Sequence, residues 1–132
     1  MTPAAGVDMV EIERIRRCMA GEHFCERVFS PAERKYFMAK ADPAPSAAAD
    51  FAAKEAFAKA LGTGLRGFAL CEVEALRDEA GAPYFRLSGE AERAAKRRGA
   101  SFSLSLTHTD KTACAFVIMY TEDDAVKTEM TE

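Results

Sequence analysis

The stretch Phe51-Ala-Ala-Lys-Glu-Ala-Phe-Ala-Lys-Ala-Leu-Gly-Thr-Gly64 predicts a helix that ends in a glycine loop. At about 100° per residue, Glu55 and Lys59 point in the same direction, one turn apart. Ala48 and Ala52 lie on the same stripe, and such small residues would leave room for a bulky ligand. A carboxylate and an ammonium beside a glycine loop suit a site for a metal ion and a phosphate. An ordinary surface ion pair with a glycine stop is the alternative interpretation.

Two further segments place polar residues beside apolar strands. Asp8 lies in the run Val7-Asp-Met-Val10, which predicts a short buried strand leading into a charged helix. His108 follows the alternating run that begins at Phe102. Asp8 is a candidate oxygen ligand for a metal, or alternatively an N-terminal cap for the helix that follows. His108 is a candidate for contacting a phosphate or a base, or alternatively a residue that fixes the turn.

The composition of the 132 residues excludes several classes of function. A net charge of −3 does not favour general nucleic-acid binding through a basic surface. No C-x-x-C pair and no secretory leader are present, and no apolar run approaches the roughly 20 residues that span a membrane. We therefore expect a cytoplasmic protein with reduced thiols and no zinc site. The four cysteines are Cys18, Cys25, Cys71 and Cys114.

Periodicity along the chain predicts one α+β domain over residues 1–121, with an antiparallel sheet packed against helices that include one long motif helix. The expected helices are 11–19, 30–41 with Ser30 as its cap, the motif helix from a Ser46 cap, and 88–98 with Ser88 as its cap. The expected strands are 7–10, 69–76, 84–87, 101–107 and 112–120. Residues 122–132 are acidic and aperiodic, which is typical of a flexible tail. Pairing of the first and last strands does not follow from the sequence.

Three motifs together resemble the signatures of the holo-acyl-carrier-protein synthases, the small bacterial phosphopantetheinyl transferases. They are Gly6-Val-Asp8, the Lys54-Glu-Ala helix that runs into Gly62-Thr-Gly64, and Ser105-Leu-Thr-His108. The resemblance extends over roughly residues 5–120. It implies a phosphopantetheinyl transferase-like fold and Mg²⁺-dependent transfer of 4′-phosphopantetheine from coenzyme A to a serine of apo acyl carrier protein, with release of adenosine 3′,5′-bisphosphate. It also implies a homotrimer.

The resemblance implies a role for each of several residues. Asp8 and Glu55 are expected to hold Mg²⁺, with Mn²⁺ as a possible replacement, and Lys59 to neutralise the pyrophosphate. Whether Glu55 accepts the serine proton directly or through a metal-bound water stays open. The basic residues expected to dock the acidic carrier protein are Arg14 and Arg27. The residues expected to contact coenzyme A are Lys54, Lys59, Gly62, Thr63, Gly64, Pro83 and His108.

The chain departs from the family pattern at three positions. Asp50 stands where the family usually has arginine, Ala82 replaces a turn lysine, and Thr112 replaces an aromatic residue. Asp50 would either face the nucleotide phosphates or pair with a neighbouring cation. These departures motivate a second hypothesis, a module of the same fold that binds coenzyme A or a carrier protein without modifying it. A nucleotide-pyrophosphate hydrolase ranks third, because no further acidic cluster is present to organise an attacking water.

Overall fold

The computed structural model describes residues 3–121, which form five strands and five helices. The predicted tail at 122–132 lies outside the described residues. The strands are β1 (Ala4–Glu11), β2 (Val73–Arg77), β3 (Pro83–Leu87), β4 (Ala100–His108) and β5 (Thr112–Thr121). The helices are α1 (Ile12–Met19), α2 (Phe24–Val28), α3 (Pro31–Met38), α4 (Ala44–Leu61) and α5 (Gly89–Arg97). A single 3₁₀ turn, Leu70–Glu72, precedes β2 within this part of the chain.

The strands form two antiparallel sheets, so the expected α+β class is confirmed. One sheet has the order β1-β5-β4, and the other is the β2-β3 hairpin. The first and last strands do pair, with Asp8 opposite Ala115. On the other side of β5, His108 lies opposite Ala113. The central strand of the larger sheet thus brings Asp8 and His108 into one layer from opposite ends of the chain.

Helix α4 forms the core because it contacts both β1 and β5. Phe57 and Leu61 on this helix are fully buried, as the sequence predicts. The Phe57 ring lies 5.4 Å from Phe85 in the hairpin and 4.7 Å from Phe102 in the larger sheet, measured between ring centroids. Phe57 therefore joins the two sheets through one aromatic cluster.

The helix ends confirm the predicted cap of α3 and differ from the predictions at α4 and α5. Ser30 and Glu33 form the predicted capping box of α3. Helix α4, however, begins two residues before Ser46, and Asp42 accepts the backbone N–H of Ala44 at 3.2 Å. The Ser46 cap was therefore a wrong prediction, because an upstream carboxylate satisfies that helix end. Ser88 occupies the N-cap position of α5 without a side-chain bond.

Two further predictions need correction. The strand expected from residue 69 begins only at Val73, because the 3₁₀ turn occupies the preceding three residues. Helix α2 was not expected at all, since five residues are too few to show helical periodicity.

Candidate active site at the contact of β1 and α4

Asp8 and Lys59 form an ion pair between β1 and α4. Lys59 Nζ donates to Asp8 Oδ1 at 3.2 Å and to the Val7 carbonyl oxygen at 3.0 Å. The Asp8 side chain is one-fifth exposed and that of Lys59 is about half exposed, so a ligand can reach both. Helix α1 begins at Ile12 with Glu11 in the N-cap position and no side-chain cap bond, so the alternative role of Asp8 as its cap is not seen. The structure brings together two of the three predicted catalytic residues by direct contact.

Glu55 lies close enough to this pair for their charges to act on it. Burial raises the pKa of Glu55, and the negative charge of Asp8 raises that pKa further. The cations of Lys59 and Arg14 oppose both effects. A carboxylate with a raised pKa is a better proton acceptor than an ordinary glutamate. The site therefore contains two adjacent carboxylates, one ammonium and one nearby guanidinium.

The donor set fits a magnesium ion. Mg²⁺ binds through one or two carboxylates, with substrate phosphates and waters completing its coordination. Asp8 and Glu55 supply two carboxylates. The negative charge of Asp8 raises the pKa of Glu55, and a bound cation would offset the repulsion between the two groups. Among residues 3–121 no group of three or more histidine, cysteine or acidic side chains is arranged for a metal. The two carboxylates accordingly match an ion shared with a substrate better than an all-protein metal cage.

The glycine loop follows the helix as predicted and is exposed. Gly62 and Gly64 have φ angles of 83° and 62°, which favour glycine, and the Thr63 hydroxyl donates to the Gly64 carbonyl at 3.0 Å. The Gly62 N–H donates to the carbonyl of Ala58 at 3.0 Å. That N–H closes the helix end, so the expectation that it serves a ligand is corrected for Gly62.

The stripe of small residues on α4 does not leave space for a ligand. Ala48 and Ala52 are fully buried. The expectation that they flank an open pocket was therefore wrong, because α4 is the central element of the core and its alanines pack against neighbouring elements.

His108 and Pro83, two of the residues expected to contact coenzyme A, line one pocket away from the Asp8–Lys59 pair. This cavity of about 250 Å³ lies between the end of β4, the hairpin and the start of α4. His108 Nδ1 lies 3.0 Å from the Thr109 carbonyl, which can only accept, so Nδ1 carries the proton and Nε2 is left for other partners. Sequence reasoning missed three further lining residues, Tyr36, Lys40 and Arg77. No local motif marks them, since they come from two separate elements and a loop.

Lys54 does not face a ligand. Its side chain is fully buried, and Nζ donates to Glu33 Oε1 at 2.7 Å and to the carbonyl oxygens of Leu70 and Val73 at 3.0 and 2.6 Å. Burial lowers the pKa of Lys54, while the charge of Glu33 opposes that shift. Lys54 was predicted to contact coenzyme A, and that prediction was wrong because its ammonium is buried and bonded to Glu33. Glu33, which caps α3, instead forms a buried ion pair with Lys54.

Asp50 is also buried, and it pairs with a cation. Its Oδ1 lies 2.9 Å from Nη2 of Arg77, whose side chain is 13% exposed. Neither Asp50 oxygen receives a well-aligned hydrogen bond within residues 3–121, so the attraction of opposite charges holds the pair. Of the two alternatives for Asp50, pairing with a neighbouring cation is the one found. One of the three departures that motivated a binding module without activity is thus paired with a guanidinium, and that guanidinium lines the pocket of His108.

The two predicted docking arginines lie on the first two helices. Arg14 on α1 and Arg27 at the end of α2 are both exposed. Arg16 on α1 differs, since it is paired with Asp42 at 2.7 Å and with Glu13 at 3.0 Å. The charge of Arg14 lowers the pKa of Glu55, so α1 places a cation near the carboxylates.

Comparison with known proteins gives one consistent result. A family model described as the 4′-phosphopantetheinyl transferase superfamily matches residues 4–117. A holo-[acyl-carrier-protein] synthase of Treponema denticola is 46% identical over 116 residues, covering 86% of this chain and 94% of that protein. The crystal structure of the holo-[acyl-carrier-protein] synthase from Neisseria meningitidis matches with a TM-score of 0.82 at 35% identity, covering 89% and 97% of the two chains. The Helicobacter pylori synthase, solved in complex with coenzyme A, matches with a TM-score of 0.77 at 30% identity, covering 88% and 99%.

Proposed function

Because the chain belongs to the 4′-phosphopantetheinyl transferase superfamily, we propose that it transfers 4′-phosphopantetheine from coenzyme A to a serine hydroxyl of apo acyl carrier protein. The product released is adenosine 3′,5′-bisphosphate. The observation that carries the proposal is the group formed by Asp8, Glu55 and Lys59 where β1 meets α4. Phosphopantetheine transfer requires carboxylates that can hold a cation and a positive charge beside the pyrophosphate. Asp8 and Glu55 supply the carboxylates, and Lys59 supplies the positive charge.

Each residue of the group has a distinct task. Glu55 accepts the proton of the attacking serine, directly or through a water, because it is the half-buried carboxylate on the same helical face as Lys59. Lys59 moves from Asp8 to the pyrophosphate and stabilises the negative charge that grows on the leaving phosphate. Thr63 and Gly64 are exposed just beyond the end of α4, where the substrate would pass. The exposed glycine backbone allows close approach by the ligand there.

The residues that would hold Mg²⁺ are Asp8 and Glu55, and Mn²⁺ would bind through the same oxygens. When bound, the ion neutralises pyrophosphate charge as a Lewis acid. Asp8 would hold the ion through the carboxylate that pairs with Lys59 in this structure, so the ammonium of Lys59 would be released for the substrate.

The outer face of the larger sheet supports assembly into a homotrimer. Val7, Met9 and Phe116 are 52%, 68% and 44% exposed. Val7 lies directly opposite Phe116 in the sheet register, and Met9 opposite Cys114. These side chains form one apolar stripe, which a second copy of the chain would cover. Among the described residues no helix is both long and apolar enough to cross a membrane.

The decisive experiment uses mass spectrometry of a purified apo acyl carrier protein. Incubation with this protein, coenzyme A and Mg²⁺ is expected to add the mass of one phosphopantetheine group. Omission of Mg²⁺ is expected to suppress the addition. An unmodified carrier protein that nevertheless binds to the chain would support the binding module instead. Sedimentation of the purified protein tests the homotrimer independently.

A further inference from the structure

The glycine loop at residues 62–64 follows the carboxyl end of a helix, which is an unfavourable place for an anion. Helix α4 ends at Leu61, with Gly62 as its C-cap. The carboxyl end of a helix carries a partial charge of about −0.5 elementary charge. The Gly62 N–H is occupied, since it donates to the carbonyl of Ala58. A phosphate that approaches the start of this loop therefore needs a cation nearby.

Arg98 reaches from the end of α5 to the end of α4. Its Nη1 donates to the carbonyl oxygen of Leu61, the last residue of α4. The same nitrogen lies beside Gly62, because a Cβ atom at residue 62 would be 3.9 Å from it. The Arg98 side chain is exposed, so it covers this helix end from the solvent side. Arg98 thus bonds a carbonyl that the helix leaves without an internal partner and brings a full positive charge to the negative helix end.

The backbone around Arg98 is held by elements on both sides. Arg98 is the C-cap of α5, and Gly99 follows with a φ angle of 59°. Strand β4 then begins at Ala100, and the ring of Phe102 in that strand lies 4.7 Å from the ring of Phe57 on α4. The fold therefore anchors Arg98 beside the last turns of α4, where its side chain meets Leu61.

This helix end lies close to the group formed by Asp8, Glu55 and Lys59. Lys59 precedes Leu61 by two residues, about 3 Å along the helix axis. In the proposed function the pyrophosphate of coenzyme A reacts beside Lys59. Salt screens charges only weakly over so short a distance, since the screening length is roughly 10 Å at 0.1 M ionic strength. A helix end without a compensating cation would therefore repel the pyrophosphate.

We propose that Arg98 is a positioning residue for coenzyme A: it holds the Leu61 carbonyl and offsets the negative end of α4, so that the glycine loop receives the pyrophosphate. The proposal rests on the proposed function for the identity of the anion and for its place beside Lys59. Arg98 acts through the helix end and not on the reacting atoms. A residue that only tethered the loop would need the hydrogen bond but not the charge, and the two roles are separable by experiment.

The test measures by calorimetry the affinity for coenzyme A of the wild-type protein and of three variants at residue 98. Arg98→Lys keeps the charge and a donor, so it should bind within about twofold of wild type. Arg98→Met loses both, and about fivefold weaker binding is expected, as for loss of a favourable charge at a helix end. Arg98→Glu loses the same bond and adds a negative charge, so a loss of about tenfold or more is expected. A purely structural tether predicts equal affinities for the last two variants.

Arg97→Glu is the matched control, because it makes the same charge change at the neighbouring exposed residue of α5. It should alter the affinity for coenzyme A less than about twofold. The losses at residue 98 should shrink with added salt. Equal affinities of Arg98→Met and Arg98→Glu, or a loss in Arg97→Glu as large as that in Arg98→Glu, overturn the proposal. Failure of the proposed function would appear separately, as a wild-type protein that binds coenzyme A but does not modify apo carrier protein.

Discussion

Gly6 on β1 lies so close to Ala56 on α4 that a Cβ atom at residue 6 would be 1.9 Å from the Ala56 carbonyl oxygen. The neighbouring Ala60 nitrogen would be only 2.7 Å away, and both are backbone atoms that cannot move aside. The same glycine therefore sets the distance between the strand of Asp8 and the helix of Glu55.

Gly6→Ala is expected to lower the free energy of unfolding by at least about 2 kcal/mol, because the added methyl separates β1 from α4. Urea denaturation measures this loss. Gly21→Ala is the control, since its Cβ would meet only the Cys18 carbonyl at 3.3 Å, and its cost should be clearly smaller. Equal stability of wild type and Gly6→Ala would contradict the observed packing.

Asp8→Asn and Glu55→Gln should each nearly abolish phosphopantetheine transfer while the melting temperature stays close to that of wild type. Each change removes one anionic oxygen ligand of the metal. Paramagnetic relaxation by Mn²⁺ measures metal binding separately from activity and should weaken in both variants. Glu11→Gln, at the exposed end of the same strand, should leave both readouts unchanged. Turnover within a few-fold of wild type in both site variants would disprove the metal site.

Lys54→Met should destabilise the protein by about 3–5 kcal/mol, because Glu33 would keep a buried charge without its partner. Denaturant unfolding measures the loss. The double variant Glu33→Gln with Lys54→Met should recover part of that stability, since no isolated charge remains. A Lys54→Met protein with normal stability and weakened coenzyme A binding would instead restore the role first expected of this lysine.

The stability of wild type should fall between about pH 4 and pH 7 relative to that of Asp50→Asn. Burial raises the pKa of Asp50 from 3.8 to about 7, and Arg77 offsets only part of that shift. Over this window the folded state holds a proton that the unfolded state has released, so folding weakens as pH rises, by at most about 1.4 kcal/mol per pH unit. Unfolding curves of both proteins at pH 5, 6, 7 and 8 give the difference. A difference that is flat with pH would contradict the raised pKa.

Replacing Arg14 and Arg27 with glutamate should weaken the binding of apo acyl carrier protein and leave coenzyme A binding unchanged. The effect should shrink with added salt, because exposed charges are screened over roughly 10 Å at 0.1 M ionic strength. Surface plasmon resonance at 50 and 300 mM salt measures both properties. Arg93→Glu carries the same charge change on α5 and serves as the control. Normal carrier-protein binding by the double variant at low salt would place the docking surface elsewhere.

The sequence was sufficient for those parts of the site that depend on local pattern. The spacing of Glu55 and Lys59 predicts one helical face. That Asp8 lies beside them was implied by the family resemblance, and the hydrogen bond from Lys59 to Asp8 agrees with it.

The sequence was insufficient where long-range packing decides the environment of a charge. Asp50 and Arg77 lie 2.9 Å apart although no periodicity connects them. Lys54 similarly depends on Glu33, whose visible role in the sequence is only to cap α3. In both cases helical geometry gives a direction for the side chain, but the partner that lies there comes from another element of the fold.

The pairing of β1 with β5 also has a consequence for the synthesis of the protein. Asp8 belongs to the first strand described, while its partner Ala115 is in the last, so Asp8 is synthesised well before its partner. Strands so distant in sequence pair slowly, because closing the long intervening loop costs conformational entropy. The nascent chain consequently carries its motif helix long before the strand bearing Asp8 has a neighbour in the sheet. Catalytic competence should therefore appear only after β5 has been translated, and a chain interrupted before that strand should bind no metal at this site.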